Sequence, residues 1–140
     1  IHSVERISKL SNVISINGGV QLDLMGQENA ESTGTRQLSG VGGQMDFLEG
    51  AYRSKGGKGF ICINSSRVTK NGERKSNILA TIPGGSTISA PRTMIQYVAT
   101  EYGIASLSGK TLRERAEAMA SIAHPDFREE LMKYAQENFK

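Results

Sequence analysis

Hydrophobic residues make up 37% of the 140 residues and charged residues 22%, with 17 basic side chains, 14 acidic ones and a formal net charge of +3. The length fits one domain with one core, and no apolar run approaches the ~20 residues of a membrane-spanning helix, so no membrane partner is expected. Basic and acidic residues are interspersed, and the charge is as compatible with a small phosphate-bearing ligand as with nucleic acid.

The first part of the chain predicts short strands followed by a long loop. Residues 12–24 predict two short strands, or one strand broken at Gly18 and Gly19. Residues 26–43 are polar, dotted with glycine and too long for a tight turn. A loop of this length in a compact domain usually binds a ligand or packs under its neighbour, so we expect one of these two roles.

A helix and a buried strand come next. Residues 46–54 predict a short helix, and the apolar run 59–64 predicts a buried strand. The order strand, loop, helix, strand indicates an α/β unit. Cys62 lies in the apolar run, where we expect a buried structural thiol. Because the sequence has no second cysteine, it also favours a reducing, cytoplasmic environment.

The next segment predicts a hairpin. Residues 67–82 predict strand, turn, strand because Asn71 and Gly72 both tolerate positive φ. A further strand is expected over 97–100.

The last thirty residues predict two helices. Residues 111–124 give the clearest pattern, in which Thr111 and Glu114 form a capping box and apolar residues share one face. The second helix is expected over 125–138. We interpret both as scaffold.

The strongest local signal is a run of glycines before the first predicted helix. Gly42 and Gly43 let bare backbone N–H groups approach a ligand, and the helix N-terminus adds a partial positive charge. This combination suits a thioester carbonyl or a phosphate group. Gln44 is able to donate and accept hydrogen bonds, Asp46 is favourable in a first helical turn, and Phe47 is expected to anchor the loop. A merely tight turn is the alternative.

A second glycine-rich loop carries two lysines. Lys55 and Lys58 flank Gly56 and Gly57 just before the buried strand, where their ammonium groups could meet phosphates. Lysines beside a turn are more often solvated charges, so both interpretations stay open.

The sequence contains no complete catalytic constellation. His2 and His124 are far apart and lack metal-ligand spacing, so we expect no metal and structural roles for both, with His124 complementing the dipole at the end of a helix. Glu101 follows an apolar strand and is better placed than most carboxylates to line a site. A supporting role is favoured for it over a nucleophilic one.

Five blocks of sequence resemble one known family. The chain is similar to the carboxy-terminal domain of the acetyl-CoA hydrolase/transferase family, which includes 4-hydroxybutyrate and butyryl-CoA:acetate CoA-transferases. Several blocks in the same order are more specific than one glycine loop. The blocks are 13–32 (VISINGGVQLDLMGQENAES), 39–51 (SGVGGQMDFLEGA), 54–61 (SKGGKGFI), 100–110 (TEYGIASLSGK) and 121–131 (SIAHPDFREEL).

The resemblance implies an α/β fold, an open αβα sandwich of the CoA-transferase and ribose-phosphate-isomerase type. Residues 1–140 would be its carboxy-terminal domain, paired with an amino-terminal domain of the same enzyme. Such enzymes move CoA between short-chain carboxylic acids, such as acetate, butyrate or 4-hydroxybutyrate, through a glutamyl-CoA thioester, with acyl-CoA as substrate. The family's attacking glutamate lies in a His-Ser/Thr-Glu-Met segment that this sequence lacks. We therefore expect it upstream and expect the isolated chain to be inactive.

The resemblance also assigns site residues. Gly42, Gly43, Gln44, Asp46 and Phe47 match the family motif that lies against CoA and the active-site glutamate. We expect these residues to bind CoA, with backbone N–H groups stabilising the oxyanion that forms when the thioester is attacked.

Two departures from the family pattern leave the phosphate contacts and the acyl preference open. Asn77 stands where many relatives have Arg, and Pro91 stands where Thr or Ser is common. An acyl-CoA hydrolase domain and a non-catalytic nucleotide- or RNA-binding module are the alternative functions. The preferred hypothesis implies a cytoplasmic homo-oligomer with no nucleic-acid partner.

Overall fold

A computed structural model describes residues 2–140 as four helices and eleven strands. None of the helices in this range is long and apolar enough to cross a bilayer. The helices are α1 (Val4–Ser8), α2 (Gln44–Arg53), α3 (Leu112–Ser121) and α4 (Pro125–Asn138). The strands are β1 (Ile14–Gly18), β2 (Gln21–Asp23), β3 (Glu28–Asn29), β4 (Ser32–Thr33), β5 (Arg36–Gln37), β6 (Lys58–Cys62), β7 (Ser66–Val68), β8 (Arg74–Ser76), β9 (Ile78–Leu79), β10 (Tyr97–Thr100) and β11 (Gly103–Ser106).

The largest sheet has four strands in the order β1-β6-β10-β11. Strands β1, β6 and β10 run parallel, with Ile16 opposite Phe60 and Phe60 opposite Tyr97, and β11 returns antiparallel to β10. Parallel neighbours need a crossover, which α2 supplies between β1 and β6. Helix α2 therefore runs antiparallel to these strands and begins at their carboxyl ends.

The helices cover one face of this sheet. Leu48 of α2 packs over Gly59, and Ile122, which follows α3, lies beside Gly103. Helices α1 and α4 pack in turn against α2 and α3. Burial of apolar side chains between this face and the helices forms the core, which includes Leu48, Ile61, Val98, Ala105, Met119, Leu131 and Ala135.

The opposite face of the sheet, called the open face below, is uncovered within residues 2–140. Ile14, Ile16 and Ile104 lie on it and are 55%, 69% and 63% exposed. Phe60 and Tyr97 stack on the same face with ring centroids 4.9 Å apart. Parallel sheets normally bury both faces, so the described residues supply only one of the two helical layers of an αβα sandwich.

The segment predicted as one long loop contains three short strands and a buried polar network. Oδ1 of Asn29 accepts hydrogen bonds from the backbone N–H groups of Glu31 and Ser32, both at 3.0 Å. The N–H of Thr87 donates to Oγ of Ser32 at 3.0 Å. Of the two roles expected for this segment, packing describes its first part, which is mostly buried, whereas residues 35–42 are exposed.

Locally encoded elements match their predictions most closely. The predicted hairpin forms from β7 and β8, with Gly72 in its turn at a φ of +80°. Thr111 and Glu114 make both hydrogen bonds of the capping box. Helix α3 ends at Ser121, earlier than predicted.

The prediction of a buried thiol at Cys62 is wrong. Cys62 is half-buried because its position in β6 directs the side chain to the open face.

Candidate functional site

A cleft opens at the carboxyl ends of the parallel strands. Its volume is about 390 Å³, and it is lined by residues that end or follow β1, β6 and β10, namely Gly19, Cys62, Ile63, Asn64, Ala99 and Thr100. Open α/β sheets bind ligands at this edge because the loops that follow the strands converge there. Helix α2 begins at the same edge, so the glycine-rich loop and the cleft lie on one side of the domain.

The glycine-rich loop presents a run of free backbone N–H groups. Within residues 2–140, no N–H from Gly40 to Asp46 donates a hydrogen bond to a protein acceptor. The N–H of Phe47 is the first that does, to the carbonyl of Gly43 at 3.2 Å. Gly43 is the N-cap and makes no side-chain cap, and Gly42 has a φ of +60°. The first turn of α2 is therefore free to bind an anionic or carbonyl oxygen.

His2 lies against this loop, which the sequence did not predict. A Cβ on Gly43 would overlap the imidazole of His2, so glycine is the residue that leaves room for the ring. The same ring meets Phe47 edge-on, with 5.1 Å between the ring centroids. His2 and Gly43 are far apart in sequence, so no local pattern could have indicated this contact.

A buried carboxyl group lies beside the first residue of α2, and it too was missed. Glu28 is fully buried, and neither its carboxyl oxygens nor Nε2 of Gln44 has a hydrogen-bond partner among residues 2–140. Burial raises the pKa of Glu28 to about 7 against the opposing effect of the Gln44 amide, and the charge of Glu31 raises it further. A Cβ on Gly19 would lie 2.8 Å from Oε1 of Glu28, which places the carboxyl group next to a residue of the cleft wall.

Glu101 lies at the same edge of the sheet, directly after Thr100 of the cleft wall. Its carboxylate accepts hydrogen bonds from the side chain and the backbone N–H of Ser65. Desolvation works to raise the pKa of Glu101, but these hydrogen bonds outweigh it, so the pKa lies below its ordinary value. These hydrogen bonds hold together the loops that follow β6 and β10.

Lys55 and Lys58 lie at the far end of α2. They follow its last residue, Arg53, and both are exposed. The helix has 10 residues and is therefore roughly 15 Å long. The structure does not bring these lysines together with Gly43, and a ligand that contacted both ends would have to extend along the helix.

His124 begins a helix instead of ending one. It is the N-cap of α4, where its Nδ1 accepts a hydrogen bond from the N–H of Asp126 at 3.2 Å, and its ring packs against Tyr102 and Phe127. The prediction that it complements a helix C-terminus is wrong because α3 ends at Ser121. In the part of the chain that the structure describes, no group of three or more His, Cys, Asp or Glu side chains is placed to hold a metal ion.

Residues 1–135 match the family model described as the acetyl-CoA hydrolase/transferase C-terminal domain. The chain therefore belongs to this family, and the resemblance seen in the sequence is confirmed.

Named relatives support the same assignment. The butyryl-CoA:acetate CoA-transferase of Anaerostipes caccae is 47% identical over 135 residues, which cover 96% of this chain and 30% of that protein. The 4-hydroxybutyrate coenzyme A transferase of Clostridium kluyveri is 50% identical over 133 residues, which cover 95% of this chain and 30% of that protein. Relatives named acetyl-CoA hydrolases are more distant, such as that of Eremothecium gossypii at 32% identity over 135 residues, or 95% of this chain and 24% of that protein.

The fold is shared with a solved CoA-transferase. The crystal structure of 4-hydroxybutyrate CoA-transferase from Porphyromonas gingivalis matches 99% of this chain with a TM-score of 0.76 at 38% identity, and the match covers 30% of that protein. The predicted fold class, an α/β domain of the CoA-transferase type, is confirmed. The chain spans about 30% of the length of these relatives.

Proposed function

We propose that the full-length protein transfers CoA between short-chain carboxylic acids and that residues 1–140 form its carboxy-terminal, acyl-CoA-binding domain. The observation that carries this proposal is the run of free N–H groups from Gly40 to Asp46 at the start of α2, on the same edge as the cleft. Family membership supports it, since relatives that are 47% and 50% identical to this chain are named for CoA transfer.

The loop suits the oxygen of a thioester. When a carboxylate attacks the thioester carbon, the carbonyl oxygen takes up negative charge, and the N–H groups of Gly43 and Gln44 would donate hydrogen bonds to it. Donors that are already free and held in place stabilise such an oxyanion by ~3 kcal/mol each in acyl-transfer enzymes. The side-chain amide of Gln44 can also meet the amides of the pantetheine arm. Asp46 and Phe47 complete and anchor the first turn.

The attacking carboxylate is assigned to the part of the protein that precedes this chain. Glu28 is fully buried, so its carboxyl group is not exposed to a bound substrate. Glu101 is held by two hydrogen bonds from Ser65 and its pKa is lowered, which makes it a poor nucleophile. The glutamyl-CoA thioester would therefore form on an upstream glutamate, and the loop described here would stabilise its formation and breakdown.

The open face is the proposed contact with that preceding part of the protein. Parallel sheets normally bury both faces. Because the open face is apolar, we expect its isoleucines and its two stacked rings to be buried by another part of the protein. The relatives are much longer than this chain, so a cover from the same polypeptide is available to them. Homo-oligomer formation and a cytoplasmic location stay predictions from the sequence.

Lys55 and Lys58 stay candidates for phosphate contacts under one condition. The CoA must extend along α2, with its thioester at Gly43 and its phosphates at the other helix end. The Lys55→Ala and Lys58→Ala variants should then raise KM for acyl-CoA and leave kcat unchanged.

The test uses the full-length protein with acetyl-CoA and butyrate, and follows the formation of butyryl-CoA. A Cβ at position 43 displaces His2 and narrows the approach to the backbone, so Gly43→Ala should lower kcat/KM by about 100-fold, the size of a lost oxyanion donor. Gly84→Ala is the matched control, because a Cβ there meets nothing within 4 Å. Full activity of Gly43→Ala would overturn the role of the loop, and no transfer to any short-chain acid would overturn the transferase.

Hydrolysis is the alternative within the family, since some relatives are named acetyl-CoA hydrolases. The products formed from butyryl-CoA with and without added acetate separate the two functions. A hydrolase releases free CoA and butyrate in either case, whereas a transferase passes the CoA to acetate, forms acetyl-CoA and butyrate, and releases little free CoA.

A further inference from the structure

Glu28 and Gln44 contribute three buried polar atoms that lack partners. The atoms are Oε1 and Oε2 of Glu28 and Nε2 of Gln44, and none of them makes a hydrogen bond to residues 2–140. Glu28 is 0% exposed. Buried polar groups are nearly always hydrogen-bonded, so this cluster calls for a physical explanation. The proposed function makes no use of the carboxyl group of Glu28.

An uncharged carboxylic acid would give all three atoms a partner. A protonated carboxyl group has one O–H donor and one carbonyl acceptor, which match the acceptor and donor of the Gln44 amide. The two side chains can then form a pair with two hydrogen bonds. A carboxylate has no donor, so it can bind Nε2 alone and leaves a negative charge buried.

The surroundings of Glu28 favour the uncharged form. A Cβ on Gly19 would lie 2.8 Å from Oε1 of Glu28 and also 3.0 and 3.1 Å from methyl groups of Ile63 and Ile61, so the carboxyl group and these apolar side chains surround the same glycine. The segment at Ala90 contributes a buried apolar residue whose carbonyl accepts the N–H of Glu28. Glu31 is the charged side chain that acts on Glu28, and it is itself acidic.

We propose that Glu28 is a positioning residue that holds the start of α2 through the side chain of Gln44, and that it does so only as an uncharged acid. Gln44 is the first residue of α2, and Gly43 before it offers no side chain to cap the helix. The pair therefore fixes the helix start and leaves the N–H groups of residues 40–46 free. The role in catalysis rests on the proposed function, whereas the pairing itself does not.

The first experiment measures kcat/KM for acetyl-CoA in the full-length protein from mildly acidic to mildly alkaline pH. The unmodified protein should lose activity on the alkaline side of neutrality. Glu28→Gln should keep its activity and lack this loss, because an amide pairs with Gln44 and never ionises. Glu28→Leu, which cannot pair, should lose about 10- to 100-fold at every pH. The control is Glu129→Gln, on the exposed side of α4, which should keep the alkaline loss.

The second experiment does not depend on activity. Protein labelled with ¹³C on glutamate carboxyl groups and ¹⁵N on glycine is titrated by NMR. One carboxyl signal that is absent from Glu28→Gln should titrate near neutral pH, and the amide signals of Gly42 and Gly43 should shift with the same midpoint. These amide shifts should also be absent from Glu28→Gln.

The outcomes separate the two proposals. If Glu28 titrates in the ordinary range of a carboxyl group, or if Glu28→Gln retains the alkaline loss, the positioning role is overturned. If the titration and the linked amide shifts are present but the protein transfers no CoA, the pairing is supported and the proposed function fails.

Discussion

The carboxylate of Glu101 accepts two hydrogen bonds from Ser65, one from the hydroxyl group at 2.6 Å and one from the backbone N–H at 2.9 Å. Ser65 follows β6 and Glu101 follows β10, so the pair ties together the ends of two neighbouring parallel strands. These hydrogen bonds fix the geometry of the cleft edge. Because they also stabilise the carboxylate, they make it a weaker nucleophile.

We expect Glu101→Gln to change stability more than chemistry. The amide keeps the size of the side chain but weakens two charge-assisted hydrogen bonds, so the free energy of unfolding should fall by about 1–2 kcal/mol. The kcat of the full-length protein should change by less than about tenfold. Whether Glu101 acts as the nucleophile is checked by borohydride treatment of the enzyme with acyl-CoA, followed by mass spectrometry. An adduct on Glu101 would show that it is the nucleophile and would contradict this assignment.

The stability of the protein should depend on pH through Glu28. Its pKa is about 7 in the folded state against an ordinary value of 4.5, so the folded protein keeps a proton that the unfolded chain has lost. The stabilisation is fully present below pH 4.5 and is lost as the pH rises to about 7. The free energy of unfolding should fall by up to roughly 3 kcal/mol across this window. Urea unfolding at a series of pH values measures it.

Glu28→Gln should remove that fall, because its amide does not titrate. Glu129→Gln, an exchange of the same kind on the protein surface, should retain it. Equal pH dependence in the unmodified protein and in Glu28→Gln would show that another group is responsible.

Arg115 should be one of the costliest residues to replace. Its guanidinium group is buried and donates to three backbone carbonyls, those of Met25 at 3.0 Å, Leu107 at 2.9 Å and Arg92 at 2.8 Å. Arg115→Met leaves these carbonyls without their donor and should lower the free energy of unfolding by about 3 kcal/mol or more.

The matched control for Arg115 is on the same helix. Arg113→Met removes an exposed arginine that pairs with Glu117 at 3.0 Å on the surface, and it should cost less than about 1 kcal/mol. Denaturant unfolding of both variants gives the comparison. Similar losses for the two would mean that the three carbonyl contacts contribute little.

Charges on the open face should destabilise the full-length protein. If the preceding part of the polypeptide covers this face, Ile16→Lys places an ammonium group in a buried apolar contact and should cost about 2 kcal/mol or more. Val68→Lys is the control, because Val68 is 57% exposed on the β7–β8 hairpin, away from the open face. The midpoints of thermal unfolding report the difference, and equal midpoints would indicate that the open face is also exposed in the full-length protein.

The sequence predicted features whose signals are local. The turn at Gly72, the capping box of Thr111 and Glu114, and helix α4 each depend on residues only a few positions apart. The glycine-rich loop at the start of α2 was predicted for the same reason. Strand β11 was missed because a turn at Tyr102 separates it from β10 by too few residues to show a pattern of its own.

Features that depend on distant residues were not predictable. Glu28 lies in a polar stretch of sequence, and its burial follows from its pairing with Leu22 and Ala90 and from the side chain of Gln44, which no local pattern encodes. The half-buried state of Cys62 has a related cause. An apolar run predicts a strand, but it does not reveal which face of the sheet the chain itself covers.

The three carbonyls around Arg115 also bear on the order in which the domain assembles. Met25 lies 90 positions before Arg115, so this contact closes a very long stretch of chain. Such contacts form slowly because the loop must be closed before any stabilisation is gained. While the polypeptide is being synthesised, the carbonyl of Met25, after β2, lacks its hydrogen-bond donor Arg115 until α3 has left the ribosome. The amino-terminal half of this domain is therefore expected to complete its folding only after α3 has been synthesised.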